Sequence, residues 1–224
     1  MALKKPAPKK SAKSAPPAAT LVLLVRHGQT PTTGKLLPGR APGLHLSDVG
    51  RQQAEVAAER LSVLRKVDAV YASPLERARE TAAPIARATG QRVIIDKGLL
   101  ECDFGDWTGA ELSKLMKLPE WTTVQRSPST FRFPSGESFT EMQTRMVSAI
   151  DRLCAKHRGG TIVCVSHADP IKAAVAHAMG THLDLFQRIV IGTCSVSAVA
   201  YSGSGPVVLT VNSTGSSLAE LRPS

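Results

Sequence analysis

Short apolar runs alternate with helix-like stretches along most of this chain, and that alternation restricts the fold more than any other feature. Six runs have the length and β-branched content of strands; they span residues 21–25, 67–72, 92–96, 161–165, 195–201 and 206–211. The alternation predicts an α/β fold, a three-layer sandwich with a largely parallel central sheet and helices on both faces. A Gly-Ser-Gly link between the last two runs predicts a hairpin at one edge of the sheet.

Capping residues predict where the helices between these runs begin. Ser47 is expected to cap a helix that runs to about residue 64, with Val49 and Val56 among the side chains that face the core. Ser73 is expected to cap the next helix. The two remaining helices are predicted over residues 137–157 and 169–180, the second with Asp169 as its N-cap.

The net charge of +10 is unevenly placed along the chain. Residues 1–20 contain five lysines and no acidic residue, so half of the excess lies in this one segment. Its scarcity of large apolar residues predicts a disordered basic tail, and its prolines argue against an amphipathic targeting helix. No apolar run reaches the length of a membrane span. We therefore expect a cytoplasmic protein without a membrane partner or a specific nucleic-acid partner.

Chain length and cysteine content narrow the class further. A chain of 224 residues suits one core of ordinary size, so residues 21–224 are expected to form a single domain. The four cysteines show neither a Cys-x-x-Cys pair nor the spacing of metal ligands. They predict reduced thiols, and we expect no metal site.

Polar residues follow the apolar runs at the points where a sheet of this class binds ligands. Arg26 and His27 directly follow the first run, and His167 follows the fourth. The carboxyl ends of parallel strands share one edge, so the two histidines meet there if their strands are neighbours. Arg77 lies in the first turns of the helix that follows the second run, so it is expected to face the same edge. Each residue alone has an ordinary structural explanation, but together they predict a pocket for a dianionic phosphate.

Four motifs carry a resemblance to a known family. LVRHGQT, SPLERARETA, LLECDFGDWTG and VCVSHAD occur in this order, between about residues 21 and 211. They resemble the signatures of the histidine phosphatase superfamily, the phosphoglycerate mutase-like enzymes. An RHG triplet alone is weak evidence, whereas the four motifs at suitable spacings are specific. The resemblance implies a phosphoglycerate mutase-like fold.

The resemblance also implies catalytic roles for five residues. His27 would be the nucleophile that carries a transient phosphohistidine. Arg26, Arg77 and His167 would hold the equatorial oxygens and stabilise the charge that spreads over them. Glu101 would protonate the leaving oxygen and then take a proton from the attacking water. That double role requires a raised pKa, which partial burial would favour and neighbouring cations would oppose.

Residues around the two histidines complete the implied phosphate site. Gly28 would allow the backbone to approach the phosphate, and Thr30 would bind an oxygen or brace the loop. Three positions depart from the common pattern of the family: Gln29 replaces a glutamate, Thr33 an asparagine and Ala168 a glycine. None of these changes removes a catalytic group. The replacement of asparagine by threonine leaves the phosphate contact at position 33 open.

Residues 110–136 are expected to form a cap over the pocket. They carry four cations, Lys114, Lys117, Arg126 and Arg132. Two interpretations stay open: these cations read a second acidic group on the substrate, such as a carboxylate or a second phosphate, or they are solvated charges on the cap. Arg40 is a further candidate for substrate binding from the opposite rim.

The spacing between the acid and the second histidine bears on the reaction. Glu101 and His167 are 66 residues apart, which resembles the compact phosphatase branch, since the mutases carry a longer insert here. We expect a phosphomonoester hydrolase that needs no metal or cofactor and acts on a small phosphorylated metabolite. The alternatives are a mutase-type phosphotransferase and a catalytically silent binding protein on the same fold. The substrate and the oligomeric state stay open, with a homodimer as a candidate.

Overall fold

A computed structural model of the protein describes residues 19–215, and a six-stranded sheet lies at its centre. The strands are β1 (Thr20–Arg26), β2 (Ala69–Ala72), β3 (Val93–Ile95), β4 (Thr161–Ser166), β5 (Val196–Ser202) and β6 (Gly205–Ser213). Their order is β3-β2-β4-β1-β5-β6. The pairings among the first four strands are parallel, and β5 and β6 join antiparallel as an edge hairpin. The predicted sheet and hairpin are therefore confirmed.

Six α-helices accompany the sheet in the described part of the chain. They are α1 (Asp48–Ser62), α2 (Glu76–Ala88), α3 (Leu112–Leu115), α4 (Glu120–Arg126), α5 (Phe139–Lys156) and α6 (Ala168–Ala178). Short 3₁₀ turns join several of them, among them Lys97–Leu99 and Leu183–Arg188. None of these helices, as far as the chain is described, combines the length and apolar character that crossing a membrane requires.

The two faces of the sheet explain the layered arrangement. Successive side chains of a strand point to opposite faces. Leu21, Leu23 and Val25 of β1 therefore pack in one buried cluster with residues of α1 and α2, while Val22 and Leu24 pack in another with residues of α5 and α6. Because β1 is covered on both faces, its run from Leu21 to Val25 is continuously apolar. The helices cover both faces, as predicted.

The prediction that Val49 and Val56 face the core is wrong. They are 49% and 52% exposed. The buried stripe of α1 runs instead through small residues and one leucine: Gly50, Ala54, Ala57, Ala58 and Leu61. Small side chains allow α1 to lie close to the neighbouring backbone, which turns the two valines toward the outside.

The predicted caps of two helices are also corrected. The helix α2 begins at Glu76 without a side-chain cap, because the hydroxyl of Ser73 is hydrogen-bonded to Nε2 of His167 at 2.8 Å. The helix α6 begins at Ala168 with His167 as its N-cap, one residue earlier than predicted. Asp169 therefore lies in the first turn of α6. Ser73 thus bonds His167 instead of capping α2, and Asp169 lines the cavity described below.

The predicted basic tail lies almost wholly outside the described residues. Of residues 1–20, the structure describes only Ala19 and Thr20, and Thr20 is the first residue of β1.

Candidate active site

The end of β1 presents His27 in a defined protonation state. Its Nδ1 lies 2.8 Å from the carbonyl oxygen of Gly28. A carbonyl oxygen only accepts hydrogen bonds, so Nδ1 carries the hydrogen and the lone pair is on Nε2. Burial, with the charges of Arg77 and Arg26, lowers the pKa of His27 well below its usual value. The imidazole is therefore neutral at physiological pH, with the lone pair of Nε2 available to a ligand.

The second histidine lies beside the first because β1 and β4 are neighbours. Arg26 and Ser166 are paired in register at the ends of these parallel strands, which places the next residues side by side. The rings of His27 and His167 are 5.1 Å apart between centroids, in an edge-on arrangement. His167 is fully buried. Burial, with the charges of Arg77, His27 and Arg26, also lowers its pKa well below the usual value.

Two arginines bring positive charge to the same place. Arg77 is fully buried; its Nε donates to Nε2 of His27 at 3.3 Å, and its Nη2 donates to the carbonyl of Gly39 at 2.7 Å. Nη1 of Arg26 donates to the carbonyl of Ile191 at 2.7 Å. These bonds to backbone carbonyls hold the guanidinium groups in place beside the histidines.

Several buried nitrogens of this group have no hydrogen-bond partner within residues 19–215. They are Nε of Arg26, Nη1 of Arg77 and Nδ1 of His167. A buried polar group without a partner costs about 1–3 kcal/mol. Three of them, grouped around one neutral imidazole, form a site that suits the acceptor oxygens of an anion.

A buried carboxyl group, that of Glu101, lines the same cavity. Its side chain is buried, with 8% of the residue exposed, and Oε1 accepts a hydrogen bond from the amide of Cys102 at 2.9 Å. Burial first, then the charge of Asp169, raises the pKa of Glu101 to about 7, against the opposing effects of Arg77 and Arg26. A carboxyl with this pKa is present in both protonation states at neutral pH, which suits an acid that also acts as a base.

Three charged residues, which we call the acid-loop clamp, hold the backbone of Glu101 from behind. The clamp consists of Arg40, Glu137 and Arg145. The carbonyl oxygen of Glu101 accepts from Nε of Arg40 at 2.8 Å and from Nη2 of Arg145 at 3.2 Å. The carboxylate of Glu137 joins the two arginines, at 2.8 Å from Nη2 of Arg40 and 2.8 Å from Nε of Arg145. The clamp therefore fixes the loop that carries the acid.

This position corrects the expectation for Arg40. Nε and both terminal nitrogens donate to protein oxygens, Nη1 to Asp103 at 3.5 Å. It does not line the cavity. Its contacts assign it to the acid loop rather than to the substrate. Sequence reasoning missed Glu137 and Arg145; the one available signal was their spacing of eight residues at the start of a predicted helix.

The structure gives a different reason for the glycine after His27. The Gly28 amide donates to the hydroxyl of Thr81 at 3.0 Å. A Cβ at position 28 would lie 2.5 Å from the carbonyl oxygen of Gly50 in α1. Gly28 is therefore needed for close packing of the loop on α1, and its approach to a phosphate stays a prediction. The Gln29 amide donates to the side chain of Gln53 at 2.9 Å, so Gln29 joins the same packing contact.

The remaining predicted residues lie at the cavity. Thr30, Thr33 and Ala168 all line it, together with His27 and Arg26. The hydroxyls of Thr30 and Thr33 are 3.0 Å apart and hydrogen-bonded. Arg77 and His167 lie behind His27, with their unpartnered nitrogens in the same buried group.

The cavity has a volume of about 310 Å³ and extends from His27 to the segment 110–136. Its outer wall is mostly apolar: Leu36, Leu112, Trp121, Val124, Phe133 and Phe139. The four cations of residues 110–136 do not line it, and all four are exposed. Lys114 pairs with Glu111, and Arg132 pairs with Glu141. The structure thus favours the interpretation that these cations are solvated.

Polar side chains that the sequence did not predict as site residues also line the cavity; they are Gln125, Asp169, Lys172 and Gln187. Lys172 follows His167 by five residues on α6, and this spacing was the available signal, since it places both within the first turns of one helix.

A match to a family model shows which protein family the chain belongs to. The model described as "Histidine phosphatase superfamily (branch 1)" matches residues 22–214. The chain belongs to the histidine phosphatase superfamily. The family and the fold class predicted from the sequence are therefore confirmed.

Two curated relatives of this histidine phosphatase are similar over most of its length. A bifunctional protein of Mycobacterium tuberculosis is 34% identical over 200 residues, which are 88% of this chain but 54% of that protein. The chain thus spans about half the length of that relative. Phosphoserine phosphatase 1 of Hydrogenobacter thermophilus is 31% identical over 198 residues, 86% of this chain and 92% of that protein.

A solved structure with the same fold supports the family assignment. The mycobacterial glucosyl-3-phosphoglycerate phosphatase is similar to this histidine phosphatase with a TM-score of 0.78 and 26% sequence identity. The similarity covers 87% of this chain and 99% of that chain.

Proposed function

We propose that this histidine phosphatase hydrolyses phosphomonoesters of small metabolites through a phosphohistidine on His27. The observation that carries the proposal is a neutral imidazole, with its lone pair on Nε2, beside unpartnered buried nitrogens of Arg26, Arg77 and His167. The arrangement provides a nucleophile and donors for phosphate oxygens in one place. A catalytically silent binding protein would not need an acid with the raised pKa of Glu101.

In the first step Nε2 of His27 attacks phosphorus and the bond from phosphorus to the ester oxygen breaks. As the phosphate binds, the Nε hydrogen of Arg77, which bonds Nε2 at 3.3 Å, turns to a phosphate oxygen and so frees the lone pair for the attack. Arg26, Arg77 and His167 stabilise the charge on the three equatorial oxygens. Protonated Glu101 gives its hydrogen to the leaving oxygen, which departs as an alcohol.

In the second step a water molecule attacks the phosphohistidine. The Glu101 carboxylate takes a proton from this water, the bond from phosphorus to Nε2 breaks, and inorganic phosphate leaves. His27 returns to its neutral form and Glu101 to its acid form. A pKa of about 7 lets one carboxyl serve both steps near neutral pH.

The neighbouring residues take supporting roles in this proposal. Thr30, Thr33 and Ala168 contact the bound phosphoryl group from the cavity wall. Gly28 and Gln29 hold the loop of the nucleophile through their contacts with α1 and α2. A metal ion is not required for charge stabilisation, since the arginines supply the positive charge.

Two relatives support a small phosphorylated metabolite as the substrate. One is named as a phosphoserine phosphatase and one as a glucosyl-3-phosphoglycerate phosphatase. We infer a substrate of this size, since the cavity measures about 310 Å³. We also keep the cytoplasm as the proposed location.

Hydrolysis of p-nitrophenyl phosphate in the presence of a metal chelator tests the proposal. We expect turnover to persist in chelator and to be inhibited by orthovanadate, which imitates five-coordinate phosphorus. Complete loss of activity in chelator, restored by a divalent cation, would contradict it. Transfer of phosphate between the isomers of phosphoglycerate with added 2,3-bisphosphoglycerate, without net hydrolysis, would indicate the mutase reaction instead.

A further inference from the structure

We propose that the outer part of the cavity selects phosphomonoesters whose alcohol has an uncharged, apolar body, such as a short alkyl chain or a single ring. This inference rests on the proposed function and narrows its substrate class. The selecting element is a set of five residues that line the cavity, which we call the apolar slot: Leu36, Leu37, Pro38, Leu112 and Trp121.

The apolar slot has carbon surface left to cover. All five of its residues are half-buried. Other apolar residues of the cavity wall are almost fully buried by the protein itself, for example Val124 at 3% and Phe133 at 2% exposure. Burial of apolar surface is favourable in proportion to the area removed from water. An apolar ligand that covers the slot is therefore stabilised there.

The slot has two walls, which come from separate parts of the chain. Residues 36–38 form one wall, and Leu112 of α3 and Trp121 of α4 form the other. The indole of Trp121 stacks on that of Trp107, with 6.4 Å between ring centroids and 22° between planes. Trp107 in turn contacts the ring of Phe133 at 5.4 Å. This aromatic support holds Trp121 in place before a ligand arrives, which reduces the entropy lost on binding.

Charge at the outer end of the cavity does not suit an anionic alcohol. Among the described residues that line the cavity, the arginine and lysine side chains are Arg26 and Lys172. Arg26 belongs to the phosphate end. Lys172 is compensated already, since its Nζ pairs with Asp169 at 3.2 Å and donates to Oε1 of Gln187 at 3.0 Å. An additional anionic group against the slot would lose water without gaining a partner, which is unfavourable.

The size of the cavity limits the alcohol to a small body. Its volume of about 310 Å³ lies at the lower end of the range of ligand pockets. The phosphoryl group takes the inner end, beside Arg26 and His27. The remaining space suits a short chain or one ring.

A series of unbranched alkyl phosphates tests the slot. Ethyl, butyl and hexyl phosphate have leaving groups of nearly equal reactivity, because the added carbons are remote from the ester oxygen. We expect kcat/KM to rise by about fourfold for each CH₂ group that the slot buries, and by at least roughly tenfold from ethyl to hexyl phosphate. Butyl phosphate should also exceed glycerol phosphate, which has a body of similar size with two hydroxyl groups.

Variants of the two walls show whether the slot causes this rise. Leu112→Asn and Leu36→Asn should each lower the hexyl-to-ethyl ratio by at least roughly fivefold, mainly through the KM for hexyl phosphate. Leu118→Asn is the matched control, because Leu118 lies in the same segment, is 38% exposed and does not line the cavity. It should keep the wild-type ratio. A cooperative thermal unfolding transition shows that each variant is folded.

The outcomes separate the slot from the proposed function. If the wild-type protein hydrolyses these esters with a flat kcat/KM from ethyl to hexyl phosphate, the apolar slot does not select the substrate and the inference is overturned. The same holds if either folded wall variant keeps the full rise. If the wild-type protein hydrolyses neither the alkyl esters nor p-nitrophenyl phosphate, the proposed function itself fails.

Discussion

The two ends of the cavity are built in different ways. At the inner end, His27, Arg26 and Arg77 are fixed by hydrogen bonds to backbone carbonyls, beside the ends of two parallel strands. At the outer end, the wall is made of apolar side chains, most of them from residues 110–136, with Lys172 and Gln187 bonded to each other. The inner end is thus fixed by the sheet itself, and the outer end by contacts among side chains. We expect changes to His27, Arg26 and Arg77 to affect every substrate alike, and changes at the outer end to affect the choice among substrates.

The largest effect should follow removal of the nucleophile. His27→Ala should reduce the hydrolysis of every phosphomonoester by at least roughly 10⁴-fold, because no other group replaces Nε2. The measurement is the rate of p-nitrophenyl phosphate hydrolysis at saturating substrate. His182→Ala, which removes a largely exposed histidine, is the matched control and should keep full activity. A substantial residual rate in His27→Ala would show that hydrolysis does not require His27, and would contradict the role given to the inner end.

The next largest effect concerns the acid. Glu101→Gln should lower kcat/KM for an alkyl phosphate by about 10²- to 10⁴-fold, the usual range for general acid catalysis. In the wild-type protein the first step needs protonated Glu101, so kcat/KM for the alkyl ester should fall as pH rises through about 7. The variant should lose this decline. An unchanged decline in Glu101→Gln would assign it to another group.

A smaller effect should come from the acid-loop clamp. Glu137→Gln removes the carboxylate that Arg40 and Arg145 share and leaves more positive charge near Glu101, which should lower the pKa of Glu101 and move the decline in kcat/KM to lower pH. The loss for alkyl phosphates should be roughly tenfold, because the acid remains but is held less well. Glu141→Gln, which removes the partner of exposed Arg132, should leave the pH profile in place. A loss of activity without any shift would indicate that Glu137 is only structural.

The comparison of the two regions also explains which site residues could be predicted from the sequence. His27 and His167 were predictable because a strand end is visible in the sequence and neighbouring parallel strands bring their ends together. The clamp was not predictable in this way. Arg40 and Glu137 are 97 residues apart, and nothing local to either position indicates their contact.

Two errors of prediction have the same origin. Ser73 has the sequence setting of a helix cap, but its hydroxyl binds His167 from another strand. Val49 and Val56 fit an inward-facing pattern, but α1 packs through its small residues. In each case a tertiary contact outweighs the local pattern. Lys172 was missed for a related reason, since its spacing from His167 alone does not distinguish it from a surface lysine, whereas its place in the cavity wall does.

Rapid-quench kinetics of Glu101→Gln with p-nitrophenyl phosphate tests the phosphohistidine mechanism most directly. Nitrophenol needs little protonation to leave, so the first step should stay fast, while the second step still needs Glu101 as a base. The account predicts an early burst of nitrophenol, equal in amount to the enzyme, and an acid-labile phosphoryl group on His27. Equal losses for aryl and alkyl esters, with no burst and no phosphoenzyme, would contradict it and point to another carboxylate of that loop, Asp103 or Asp106.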